Sequence, residues 1–238
     1  MTKRRMWMYL AAGMAIALPA IAWATFKPVR ILAPTLNGVT CVDRVCVEES
    51  DRMAEAHALQ QAAVSAVGRK LAPLEEVPLT VFCSSRECYR SFGGGLERGA
   101  TLLDWGVILP PESWVAHIVE HEYIHMLQAQ QLGLRGRERT PDWFKEGMPF
   151  LVSEPPADDL PDYARPLAAR YQAWEQNIGR EHALGEGFHG APGSLHRLRR
   201  AMGLEEQGRL VEGDPAKAVA KPLHQRPIVG AQRAAHGQ

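Results

Sequence analysis

Two histidines four residues apart, with a glutamate directly after the first, are the residues of this chain best placed for chemistry: His121, Glu122 and His125 of HEYIH. On an α-helix, positions four apart are only about 40° out of phase, so both imidazoles project from one face. Two neutral imidazole nitrogens so placed can reach one zinc ion at about 2.0–2.1 Å. Glu122 lies one residue round from His121, where its carboxylate can meet a water without displacing a ligand. Zinc lowers the pKa of such a water towards ~7, and the carboxylate can then take its proton. The chemistry this predicts is zinc-dependent hydrolysis. A catalytic zinc site needs a third protein ligand and an open position, and the candidate is Glu146 in WFKEG. His117 extends the stripe to i, i+4, i+8, but its side chain points about 80° away from His125. It reads either as a histidine packed near the site or as an alternative ligand.

HExxH followed about twenty residues later by W-x-x-E-G resembles the signature of gluzincin metallopeptidases, in particular the bacterial peptidase MA-like group. The resemblance covers roughly residues 78–154 and is carried by Trp143, Glu146 and Gly147 together with HEYIH. It implies a zincin-like α+β fold, zinc held by His121, His125 and Glu146, and Glu122 as general base. It also implies a protein or peptide substrate, lying edge to edge along the strand TLLDWGVIL. The pattern with a third histidine, H-E-x-x-H-x-x-G-x-x-H, does not fit, because Met126, Leu127 and Gln128 follow His125. Where such families continue E-G-L/M-A, this chain has Pro149. A proline there removes the hydrogen bond to the Lys145 carbonyl and predicts a kink beside Glu146. Asp142, one turn before Glu146, reads either as an acceptor for a ligand histidine or as a first-turn carboxylate complementing the helix dipole. A donor for the oxyanion of the reaction is not singled out among Tyr163, Tyr171, His182 and His189.

The elements that must position these residues follow from apolar spacing. SDRMAEAHALQQAAVSAVGRKL, from Ser50, reads as a capped amphipathic helix. Residues 78–83 read as a short buried strand, SSRECYRSF as a short helix ended by Gly93-Gly94-Gly95, and residues 101–109 as a second strand. ESWVAHIVEHEYIHMLQAQQLG is predicted as one uninterrupted helix closed by Gly133, followed by a charged loop, LRGRERT. Thr140-Pro141 then opens the helix PDWFKEGMPFLVSE in cap-then-proline order. Residues 162–182 carry Tyr163, Leu167, Tyr171, Trp174 and Ile178 on one stripe and read as an amphipathic helix, and a short basic helix is read around Leu195, Leu198 and Met202. Strands early and helices late give an α+β class with a small sheet and a mainly helical C-terminal part.

Lys3, Arg4 and Arg5 precede an apolar run from Met6 to Ala24, with Ala22-Trp23-Ala24 as an A-x-A cleavage site. That order describes a secretory signal, and the length also suits an uncleaved membrane anchor. Either way the remainder is exported, to a periplasmic or extracellular face. Four cysteines in two C-x4-C pairs agree. A turn at Asp43-Arg44 sets Cys41 opposite Cys46, and Cys83 ends a strand while Cys88 lies one helical turn into the next element. Two local disulfides are expected in an oxidising compartment, against an alternative of four buried thiols. The 238 residues carry 27 basic and 27 acidic side chains, a balance that argues against a nucleic-acid partner. The balance is segmental: residues 25–212 hold 20 basic and 26 acidic residues, between a basic leader and a tail, 213–238, predicted disordered. The expected organisation is therefore a leader (1–24), a metallopeptidase domain (25–212) and that tail. Three other classes fit the same residues: a structural zinc module, a metal hydrolase of non-peptide bonds, and an anchored scaffold acting through its tail.

Overall fold

Short runs such as VCV and GVIL are apolar at every position, so strands made from them need cover on both faces. The computed structural model, which describes residues 3–178, shows how that cover is supplied. Strands β1 (Thr40–Val42), β2 (Val45–Val47), β3 (Leu79–Phe82), β4 (Ala100–Leu102) and β5 (Gly106–Leu109) form one sheet in the order β1-β2-β3-β5-β4. The three central strands are parallel, and β1 and β4 are antiparallel edges. Alternation divides the side chains: Val45, Val47, Phe82, Val107 and Leu109 enter one core, Cys46, Val81 and Ile108 the other.

The first core is closed by helices α2 (Met53–Lys70) and α4 (Ala116–Arg139). The second is closed by α3 (Arg86–Ser91) and two 3-10 turns, Lys27–Leu32 and Pro34–Asn37, which contribute Tyr89, Phe92 and Ile31. After α4 come α5 (Asp142–Lys145), α6 (Gly147–Val152) and α7 (Ala164–Ile178), and the N-terminal helix α1 spans Lys3–Thr25. The chain is thus a mixed α+β protein. Both disulfides form as the spacing predicts: Cys41–Cys46 joins directly opposed residues of β1 and β2, and Cys83–Cys88 joins the end of β3 to α3. Ser85 caps α3 by accepting from the Cys88 amide at 3.0 Å, and Glu48 accepts from the Ser84 and Ser85 amides.

Several expectations are corrected. The helix expected to be capped by Ser50 begins at Met53, because Ser50–Arg52 form a 3-10 turn and no side chain caps α2. Residues 101–109 are a hairpin rather than one strand. Leu103 takes a positive φ of 55°, and the Trp105 amide donates to the Leu102 carbonyl, so the chain reverses before β5. The long helix begins at Ala116 rather than Glu112, because residues 111–113 form a 3-10 turn and Val115 is extended. Gly133, at φ 65° and ψ 170°, does interrupt the helix as expected, but a second helical segment follows at once and runs to Arg139 where a charged loop was expected. Only glycine takes this conformation cheaply. Thr140 does not cap the next helix; its hydroxyl turns back to the Gly136 carbonyl at 2.8 Å, and Pro141 is the residue before α5. The expected basic helix near Leu195 and the tail 213–238 lie outside the described residues.

The WxxEG helix is divided, and Glu146 is the dividing residue, with φ −99° and ψ −37°. Trp143 and Phe144 anchor α5 against Tyr171 and Trp174 of α7. Gly147 begins α6 where α7 approaches so closely that a Cβ would collide with the Leu167 carbonyl oxygen. Gly147→Ala is therefore expected to destabilise the fold by about 1–3 kcal/mol, the usual penalty for overpacking. Chemical denaturation checks this, and an unchanged midpoint would contradict the packing described.

Candidate metal centre

On α4, Tyr123, Ile124 and Leu127 face the core beneath the helix. The Tyr123 hydroxyl lies 2.6 Å from that of Thr80 on β3, fixing the helix on the sheet. With that face committed, His121 and His125 project together into a cleft of about 630 Å³. Their Nε2 atoms are 3.2 Å apart. The break in the WxxEG helix turns Glu146 towards them, with Oε2 3.4 Å from His125 Nε2 and 4.0 Å from His121 Nε2. The kink predicted from Pro149 thus falls at Glu146 itself and does not carry its carboxylate away from the histidines.

The donor set fits a divalent ion. Ligands about 2.0–2.2 Å from a tetrahedral ion stand about 3.3–3.6 Å from one another; the 3.2 and 3.4 Å separations are close to that range, and His121–Glu146, at 4.0 Å, is somewhat longer. The protonation pattern agrees. Gln128 Nε2 donates to the Phe144 carbonyl, which turns Gln128 Oε1 towards His125 Nδ1 at 3.2 Å. A carbonyl oxygen only accepts, so in the neutral imidazole Nδ1 carries the proton and Nε2 presents its lone pair to the cleft. Two imidazole nitrogens and a carboxylate oxygen converge there, a donor set suited to a cation.

Electrostatics separates the two histidines. Burial pushes His121 well below the ordinary histidine pKa, with the neighbouring His125 adding to the effect. Burial also acts against charge on His125, but the Glu146 carboxylate at its Nε2 and the Glu122 charge outweigh it and raise its pKa. Burial likewise opposes charge on Glu146, and the His125 contact overcomes that and lowers its pKa.

Glu122 is buried beside the edge strand, and burial raises its pKa. The Thr101 hydroxyl lies 2.9 Å from its Oε2 and also 2.9 Å from its carbonyl oxygen. At Gly99 a Cβ would stand 2.7 Å from Glu122 Oε1, so the strand's approach to this carboxylate depends on the glycine. Phe150 packs edge-on against His121, ring centroids 4.4 Å apart.

Comparison with family models, curated proteins and solved structures returns no match. The site therefore rests on its own geometry. His117 lies outside the three-residue cluster; its Nε2 is 3.4 Å from Asp159 Oδ2, which fits the reading as a histidine near the site. Asp142 is exposed and pairs with Lys145, so it supports no ligand histidine. Of the oxyanion candidates, Tyr163 lines the cleft, Tyr171 is buried in the core, and His182 and His189 lie outside the described residues.

Sequence reasoning missed Gln128, Thr101, Gly99 and Arg137. Only Gln128 had a local signal, its place three residues after His125 on the same helix. Arg137 reaches the cleft because the segment after Gly133 is helical. Replacing Gln128 by Leu is expected to weaken divalent-metal binding roughly 10–100-fold, the usual cost of losing the group that orients a histidine. Competition with a chromophoric chelator measures this, and equal affinities would show that Gln128 does not orient His125.

Proposed function

We propose that this chain is an exported, zinc-dependent metallopeptidase of the gluzincin type, with a zincin-like fold and its catalytic domain within residues 25–212. The observation that carries the reading is the convergence of His121 Nε2, His125 Nε2 and Glu146 Oε2 beside the buried carboxylate of Glu122. His121, His125 and Glu146 would hold the ion. Zinc bound there supplies polarisation of a carbonyl and a more acidic water.

The chain's own residues do the rest. Glu122, whose negative charge is disfavoured by burial, takes a proton from the attacking water and delivers it to the leaving amine. Thr101 holds that carboxylate against β4. As an edge strand, β4 has one side unpaired within the sheet, and an extended peptide can add there beside Glu122. Arg98 and Tyr163 stand at the cleft as donors for developing negative charge.

Two features support export: the disulfides, which persist in oxidising compartments, and an N-terminal apolar helix suited to a signal or an anchor. The test is metal analysis of the purified protein together with cleavage of casein. One zinc per chain and a cleavage stopped by chelation and restored by zinc are expected. A metal-free protein that still cleaves, or a zinc protein that cuts no peptide, rejects the reading.

A further inference from the structure

Helix α1 offers an apolar stretch, Met6–Thr25, with a mean hydropathy of 1.6 and no part buried in the protein. About 20 such residues cross the hydrocarbon of a bilayer. The folded body grips the end of this helix. The Arg30 guanidinium donates from Nε to the Trp23 carbonyl at 3.1 Å and from Nη1 to the Ser91 carbonyl at 2.8 Å. The Phe26 amide donates to the Ala22 carbonyl at 2.8 Å, so the Ala22-Trp23-Ala24 run is helical.

The segment that follows exposes apolar side chains: Phe26, Leu32 and Leu36, the last 77% exposed. It is clasped to the approach to the metal cleft. Asn37 Nδ2 donates to Ser91 Oγ at 2.6 Å, and a side chain at Gly93 would meet the Pro28 ring at 3.0 Å. From Gly93 the chain runs into Leu96, which is 91% exposed, and Leu96 to Thr101 form one wall of the cleft. One exposed leucine needs no explanation. Phe26, Leu32, Leu36 and Leu96 are exposed on segments that hydrogen bonds and close packing tie to one another and to the end of an apolar helix.

We propose that α1 is retained as a membrane anchor, that Phe26, Leu32, Leu36 and Leu96 rest in the headgroup boundary of the bilayer, and that the cleft therefore acts on polypeptide held at the membrane surface. The last clause rests on the hydrolase reading, and the first two do not. Side chains at this depth bury apolar area against acyl chains while the backbone stays in the polar layer.

The full chain tests this. After expression with export, intact mass of the membrane fraction should include the residues before Thr25. A soluble protein beginning at Thr25 overturns the anchor. In vesicles of phosphatidylethanolamine and phosphatidylglycerol doped with a photoactivatable phospholipid, cross-links should fall in 6–37 and 93–99 and spare α2 and α7. Cross-links confined to 6–25 overturn the docking surface. In the F26S/L32S/L36S variant, cross-linking at 26–37 and 93–99 should fall to the level of α2, while α1 stays labelled; unchanged labelling counts against the surface. A peptide tethered to the vesicles by a short spacer should be cleaved at least about tenfold faster than the free peptide, through its raised effective concentration. Equal rates overturn the substrate clause. If neither peptide is cleaved while the cross-links stand, the hydrolase reading falls and the docking surface survives.

Discussion

Glu122→Gln should abolish peptide hydrolysis while leaving zinc bound. The amide is nearly isosteric with the carboxylate, and its oxygen can still accept from the Thr101 hydroxyl, now 2.9 Å from Oε2. The packing against Gly99, which tolerates no added atom, is likewise kept. What disappears is the ability to take a proton. General-base catalysis contributes about 10²–10⁴-fold, so kcat/KM should drop by that range while metal stoichiometry and thermal midpoint stay at the parent values. Because Glu122 is not in the His121–His125–Glu146 cluster, loss of metal in this variant would mean that its role is misassigned. Activity within about tenfold of the parent, with zinc retained, would sink the proposed mechanism. The same variant separates a peptidase from a structural zinc module, since a purely structural site has no use for a base.

The features legible in the sequence are those governed by short spacing. The i, i+4 histidines needed only a helix to share a face, and Cys41 and Cys46 needed only a two-residue turn to oppose each other. Tyr171 and Trp174 followed from the same helical arithmetic. The meeting of Glu146 with His125 is a long-range contact, and the motif resemblance, not periodicity, pointed to it. The features that stayed hidden depend on backbones meeting across the fold. The approach of β4 to Glu122 through Gly99, and of α7 to α6 through Gly147, leaves no mark beyond an ordinary glycine. Asp142 suits a partner for a ligand histidine by residue type and position alone, yet the α5 helix turns it to solvent. Gln128 takes the place instead, held by the Phe144 carbonyl. Gly133 marks the break in the helix, as a glycine after a last helical turn often does, but nothing local announces the second helical segment that delivers Arg137 to the cleft.

Glu146→Ala should strip the protein of zinc. A catalytic zinc site rests on three protein ligands, and the remaining pair, His121 and His125, offers two neutral nitrogens 3.2 Å apart with no anion to balance the ion's charge. Affinity should fall by more than the roughly 10–100-fold expected for losing an outer partner such as Gln128, and hydrolysis should go with it. The fold should survive. Trp143 and Phe144 before this position, and Met148 after it, are buried in the core, and alanine adopts the φ of −99° found at 146 without strain. Asp142→Ala is the matched control, because that carboxylate is exposed and, among the described residues, bonded to Lys145 alone, so zinc and activity should stay at parent levels. Zinc per chain by metal analysis, beside circular dichroism of both variants, reads the comparison. If Glu146→Ala holds zinc as tightly as the parent, the third ligand lies elsewhere, and His117, one turn before His121 and engaged with Asp159, becomes the residue to replace next.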